Sequence, residues 1–162
     1  MRLLVIATFA FALIASSPCR SETRDEWIRL GTRIHGTFGV LIPIGIRIGL
    51  DAQDRLKTDA RELQIIYFTG EKSPCSCIAD GVMIATQASP GKGTLQIAAR
   101  RAPRGSYAII VIRDRKTGQT LRYTISDEWA PKILDWNRRL DPAGRYEAAM
   151  NADGLFQVAP LQ

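Results

Sequence analysis

The longest apolar stretch beyond the N-terminal segment reads RIHGTFGVLIPIGIRIG over residues 33–49, and its second half predicts a closely packed helix. From residue 41 to 57 the apolar positions 42, 46, 50 and 56 recur at helical spacing, with glycines at 45 and 49. Pro43 fits the first turn of this helix, where its missing N–H has no partner to lose. Each glycine costs about 1 kcal/mol in helix propensity, so we expect a second backbone to pack against them.

The rest of the chain alternates β-rich runs, turns and shorter helical patterns. Apolar and β-branched positions predict a strand over 62–70, a helix over 77–88, and a meander of three strands over 94–101, 106–114 and 119–126. A further helix is predicted over 129–140, interrupted by Pro131, and the tail predicts one helical turn and then an extended piece. The order helix, strand, helix, three strands, helix predicts an α+β fold with a mixed or antiparallel sheet.

Residues 1–21 have the pattern of a secretory signal peptide. Arg2 precedes an apolar run from Leu3 to Ala15, followed by small and polar residues. The run is shorter than the roughly 20 apolar residues of a membrane span. Pro18 before Cys19 disfavours a lipid anchor, which needs a small residue there. We expect a periplasmic or secreted protein with a single domain over 22–162, held at a membrane only if the segment stays uncleaved.

The composition is that of a folded domain, with 46% hydrophobic and 23% charged residues. Arg2 and Arg20 are the only charged residues in 1–21, so removing that segment changes the formal charge from +6 to +4. A mild positive charge outside the cytoplasm does not predict a nucleic-acid partner. We expect a metal ion or small ligand instead, and leave a homodimer open.

The side chains that could carry chemistry are one histidine and two neighbouring cysteines. His35, Cys75 and Cys77 could bind a metal together with Asp80 if the fold brings the two segments together. A bridge between Cys75 and Cys77 would instead close a very small, strained ring, which is easier to reduce than an ordinary disulfide. Structural thiols and a hydrogen-bonded structural histidine are the alternative to both.

Arg47 lies on an otherwise apolar helix pattern. Such an arginine must extend its head to solvent, pair with a carboxylate, or face a cleft. The glycines on both sides leave its stem uncovered, so we retain a site-facing position beside the commoner solvent-facing one.

These residues resemble the FmdE-like family of formylmethanofuran dehydrogenase proteins over roughly residues 30–125. That family's first motif runs approximately His-Gly-His-x-Cys-Pro-Gly, followed after three residues by Gly-x-Arg-x-Gly. The positions that match it here are His35, Gly36, Gly45, Arg47 and Gly49. A second block, approximately Cys-x-x-Asp-Gly-x-Gln with a later Cys and then Gly-Lys-Gly, falls on Cys77, Asp80, Gly81, Gly91, Lys92 and Gly93.

The departures from the family pattern fall on the metal-binding signature. Residues of other types stand at these positions of the pattern: Thr37, Gly39, Val40, Met83 and Ala88. The motif is therefore degenerate. The resemblance implies a fold similar to the catalytic domain of glyceraldehyde-3-phosphate dehydrogenase, which agrees with the order of elements predicted from the residues.

The signal-peptide pattern and the resemblance together lead us to expect an exported accessory or binding protein, without catalytic turnover, that holds a metal or small ligand in a cleft. His35 and Cys77 would be ligands of zinc or another transition metal, with Cys75 as an auxiliary thiol. Asp80 would support the site as an acceptor, and Arg47 would contact an anionic group. Two alternatives stay open: a thiol-redox or other enzyme using Cys75 and Cys77, and a degenerate domain that serves protein interaction.

Overall fold

The computed structural model describes residues 22–161, which form five α-helices and one five-stranded sheet. The helices are α1 (Arg24–His35), α2 (Leu41–Leu56), α3 (Cys77–Thr86), α4 (Ala130–Arg139) and α5 (Pro142–Asn151). The strands are β1 (Leu63–Thr69), β2 (Leu95–Ile97), β3 (Ser106–Asp114), β4 (Thr120–Ser126) and β5 (Gln157–Leu161). The predicted signal peptide, residues 1–21, lies outside the described residues. Within residues 22–161, no helix is both long enough and apolar enough to cross a membrane.

The sheet is mixed, with the strand order β2-β1-β3-β4-β5. β1 pairs with β2 in parallel and with β3 antiparallel, and the remaining neighbours are antiparallel. In the middle of the sheet, Ile65 is opposite Leu95 on one side and Ile112 on the other. Helix α3 connects β1 to β2, as a parallel pair requires. The predicted α+β class with a mixed sheet is confirmed, whereas the likeness to the glyceraldehyde-3-phosphate dehydrogenase catalytic domain stays a prediction.

The predicted meander is wrong in its first strand. Only Leu95–Ile97 of the 94–101 segment is extended, and it pairs with β1 rather than with β3. The Ile65 amide donates to Thr94 O at 2.8 Å, and the Ala98 amide donates to Tyr67 O at 2.8 Å. Because β1 occupies the place beside β3, no hairpin can form between β2 and β3.

Helix α2 is deeply buried and contributes side chains to both hydrophobic clusters of the domain. Its isoleucines at 42, 44, 46 and 48 are all 0% exposed. Ile44 and Ile48 join the core on the sheet, while Ile42 and Ile46 pack with Trp27 and Phe38 in a second cluster beneath α1. This segment of α2 is apolar on every side, and it is stable because the sheet core covers one side and the second cluster covers the other.

The glycines of α2 contact α3, which confirms the close approach predicted from the sequence. A β-carbon on Gly45 would overlap the carbonyl oxygen of Ile78 and lie 2.8 Å from the Cα of Gly81. A β-carbon on Gly49 would lie 2.7 Å from that of Ala85. The two helices therefore pack backbone to backbone.

Helix α1 was not predicted, although its start carries a sequence signal. Thr23 and Glu26 form a capping box, in which the Thr23 side chain accepts from the Glu26 amide and the Glu26 carboxylate accepts from the Thr23 amide. The helix ends at His35 because Gly36 adopts a left-handed conformation with φ of 89°.

The C-terminal helices differ from the prediction for a local reason. Pro131 lies in the first turn of α4 and does not interrupt it. The tail forms a ten-residue helix rather than the single helical turn predicted, since the Asp141 carboxylate accepts from the Gly144 amide at 2.7 Å and caps α5.

Candidate functional site

His35 is the last residue of α1, and its ring meets an acidic side chain of α3. Its Nδ1 lies 2.7 Å from Asp80 Oδ2, and the two side chains are 24% and 36% exposed. A hydrogen bond at Nδ1 fixes the orientation of the imidazole ring. The fold thus brings the segment around His35 into contact with the segment that holds Cys77 and Asp80.

Cys75 and Cys77 form a disulfide, with their Cα atoms 5.3 Å apart. Cys77 is the first residue of α3, and Asp80 follows one turn later on the same helix. Two hydrogen bonds hold the loop before α3: Thr69 Oγ1 to Ser76 Oγ at 2.8 Å, and Ser73 Oγ donating to Cys75 O at 2.9 Å. The disulfide therefore lies on a loop that side-chain hydrogen bonds already fix.

His35, Cys75 and Cys77 line one cleft of about 670 Å³. The cleft lies between the 35–42 segment, the 72–77 loop and helix α4. Its apolar wall consists of Val40, Leu41, Ile42, Pro74, Ala130, Pro131, Ile133 and Leu134. Lys72 and Arg138 are the basic side chains of the lining, and none of the described lining residues is Asp or Glu.

Tyr107 also lines this cleft. Burial raises the pKa of Tyr107, with the charge of Asp127 acting in the same direction and a hydrogen bond between Tyr107 and Ser73 acting against it. Burial raises the pKa of the neighbouring Tyr67 far more. Both phenols are therefore neutral at ordinary pH.

Arg47 does not line this cleft. Its Nη1 donates to the carbonyl oxygens of Ala149 and Ala152, each at 2.8 Å, and its guanidinium lies 5.1 Å from the centre of the Phe156 ring. The side chain ties α2 to the C-terminal end of α5. Its predicted contact to an anionic group stays a prediction.

Zinc takes three or four protein ligands, and the residues that could supply them here are His35, Cys75, Cys77 and Asp80. No group of three or more His, Cys, Asp or Glu side chains within residues 22–161 is arranged to hold a metal ion. A thiolate is the ligand form of cysteine, and both sulfurs are committed to the disulfide. In this form the residues around His35 do not fit a transition metal.

Sequence reasoning missed four polar residues of the cleft: Lys72, Tyr107, Asn137 and Arg138. Lys72 lies three residues before Cys75, and this proximity in the sequence was the one signal that could have placed it at the site. The other three are on β3 and α4, far from the motifs along the chain, and only the tertiary fold brings them to the cleft.

A model of a known protein family matches most of the chain. A family model described as "FmdE, Molybdenum formylmethanofuran dehydrogenase operon" matches residues 34–155, three quarters of the chain. The match begins just before His35 and covers the whole cleft. No curated protein matches the chain.

Proposed function

We propose, since the chain belongs to the FmdE family, that it is an exported binding protein whose cleft beside His35 and Cys77 takes a small ligand with an apolar body and an anionic group. The cleft is the observation that carries this proposal. Its volume of about 670 Å³ falls in the range of about 300–1,000 Å³ found for small-molecule sites. Its wall is mainly apolar, as such sites are.

The charge of the lining supports an anionic ligand. Lys72 and Arg138 are exposed side chains that can approach a ligand without losing a protein partner, and the described lining has no carboxylate to oppose them. A carboxylate or phosphate in the cleft would receive hydrogen bonds and favourable charge from Lys72 and Arg138.

The apolar part of the lining includes a side chain that has no role in the core. Leu134 is 51% exposed on α4 and lines the cleft. A large apolar side chain at the mouth of a cleft is typical of a surface that a ligand covers.

The test is calorimetric titration with decanoate, an apolar chain with one carboxylate, beside decylamine as the cationic counterpart. We expect decanoate to bind at least about tenfold more tightly than decylamine. Leu134→Asp should weaken decanoate binding by about tenfold or more, since it removes apolar contact and adds like charge. Ile97→Asp alters an exposed apolar residue of β2 outside the cleft and serves as the control. Equal binding of the two ligands, or equal effects of the two variants, would contradict the proposal.

A second candidate function is metal binding by the reduced protein. The observation in its favour is that His35, Cys75 and Cys77, the residues predicted as ligands, line one cleft. Reduction would give two thiols that can bind zinc as thiolates beside the imidazole. Zinc titration against a chromophoric chelator should show binding by the reduced protein and none by the oxidised protein. Equal zinc affinity of the reduced and oxidised forms would exclude this site. Unchanged zinc affinity of the reduced His35→Ala variant would exclude it as well.

A further inference from the structure

We propose that the Cys75–Cys77 disulfide is an exchange site for small anionic thiols that enter the cleft. The proposal rests on the anion-binding part of the proposed function, because it assigns to the cleft a thiol that is bound through its carboxylates and reacts with the bridge. The bridge forms part of the cleft lining, and both cysteines are partly exposed. A disulfide can exchange only where a thiolate can reach one of its sulfurs.

The fold has little need of this bridge. A disulfide stabilises a protein in proportion to the logarithm of the loop it closes, and this one joins residues with a sequence separation of 2. The Thr69–Ser76 and Ser73–Cys75 hydrogen bonds hold the same loop without it. Reduction should therefore leave the loop and α3 in place, so the bridge can open and close without unfolding the domain.

The charges around the bridge favour a thiol that carries carboxylates. Lys72 lies on the loop that holds Cys75, and Arg138 lies on α4 across the cleft. Both side chains attract an anion and repel a cation. A thiol of the size and charge of glutathione matches the cleft volume and this pair of cations.

The exchange proceeds in two balanced steps. A substrate thiolate bonds to Cys75 Sγ while the Cys75–Cys77 bond breaks, and its electron pair goes to Cys77, whose sulfur is at the positive end of α3. A second substrate thiolate then attacks the sulfur of the bound substrate and releases Cys75. Two electrons pass from two substrate thiols to the protein, the two thiol protons end on Cys75 and Cys77, and the substrate leaves as its disulfide. A substrate disulfide reverses the same steps.

The experiment compares reduction of the folded protein by glutathione and by cysteamine, a cationic thiol of lower mass. Free cysteines are counted by mass after alkylation at successive times. Each rate is divided by the rate of the same thiol with a small model disulfide, which removes the intrinsic difference in reactivity. We expect glutathione to be favoured by about tenfold. Lys72→Glu and Arg138→Glu should each reduce or reverse that preference, and Arg104→Glu, the same charge change on an exposed turn outside the cleft, should not.

A disulfide that resists both thiols, or one that reacts with no charge preference in all four proteins, would overturn the proposal. Binding is measured separately with S-methylglutathione, which has the same charges but no thiol, and with decanoate. Decanoate binding without exchange removes this inference and leaves the proposed function standing. Failure of decanoate to bind removes the proposed function, and preferential exchange with glutathione would still support an exchange site of narrower specificity.

Discussion

At the scale of single residues, two side chains of the C-terminal helices hold the backbone of the loop after His35. The Val40 amide donates to Asn137 Oδ1 at 3.0 Å, and Arg145 Nη1 donates to Phe38 O at 3.1 Å. These bonds attach the 36–40 loop to α4 and α5, where the resembling family pattern has its second His and its Cys. His35 keeps its place because α1 ends there and Asp80 holds its ring. The segment thus forms one wall of a cleft rather than a set of metal ligands.

Variants of Arg47 and Arg138 should affect different properties, the first the stability of the fold and the second the binding of the ligand. Arg47→Met removes the donor to two carbonyl oxygens at the end of α5, and we expect a loss of about 2 kcal/mol in the free energy of unfolding with unchanged decanoate affinity. Arg138→Met should leave stability within about 0.5 kcal/mol and weaken decanoate binding. Urea unfolding and calorimetry of both variants measure the two quantities. A loss of affinity in Arg47→Met at full stability would instead support the anion contact predicted from the sequence.

Asp114 gives a prediction for the dependence of stability on pH. Its burial raises the pKa of the carboxyl, but hydrogen bonds from Lys116 and Thr117 outweigh burial, so the pKa of Asp114 is lowered. A folded pKa below the unfolded value of about 3.9 means that the carboxylate stabilises the fold above that value. This stabilisation is lost as pH falls through the folded pKa. Asp114→Asn should therefore lower the melting temperature at pH 7 and lower it less near pH 3. A constant difference across this range, or the same profile in the exposed control Asp153→Asn, would contradict the assignment.

At the scale of elements, the α2–α3 contact is the feature that the sequence predicted best. Glycines four residues apart on an apolar helix pattern indicate a close backbone neighbour, and Gly81 supplies it. The pattern could not show the neighbour of β2, because a three-residue strand has too few positions to specify a register. The cleft was predicted only in part for a similar reason, since α4 and β3 reach it through tertiary packing.

Gly45→Ala should be strongly destabilising although alanine is the better helix former. The gain of about 1 kcal/mol in propensity is smaller than the strain of separating α2 from α3, and overpacking typically costs about 1–3 kcal/mol before backbone shifts are added. We expect a net loss of at least about 1 kcal/mol in chemical unfolding. Gly91→Ala places a β-carbon in open space and should change stability by less than about 0.5 kcal/mol. Equal stability of the two variants would show that the helices can separate freely.

At the scale of the whole molecule, the proposed export predicts which form of the cysteines prevails. Disulfides persist in the periplasm and outside the cell, so an exported chain would carry the closed disulfide in its cleft. Expression of the full sequence in a Gram-negative host should yield a periplasmic protein whose mass corresponds to a chain beginning at Glu22, with no free thiol. An intact chain that stays in the cytosolic fraction would contradict the proposed localisation.

The most direct test of the central claim is chemical-shift mapping of the amides of the isotope-labelled, oxidised domain during titration with decanoate. We predict that the saturable shifts centre on the cleft lining, at His35, Lys72, Cys77, Leu134 and Arg138, and that amides of β2 and β5 at the edges of the sheet stay unchanged. Shifts centred on another surface, or no saturable shifts at all, would contradict the account of this cleft as the binding site.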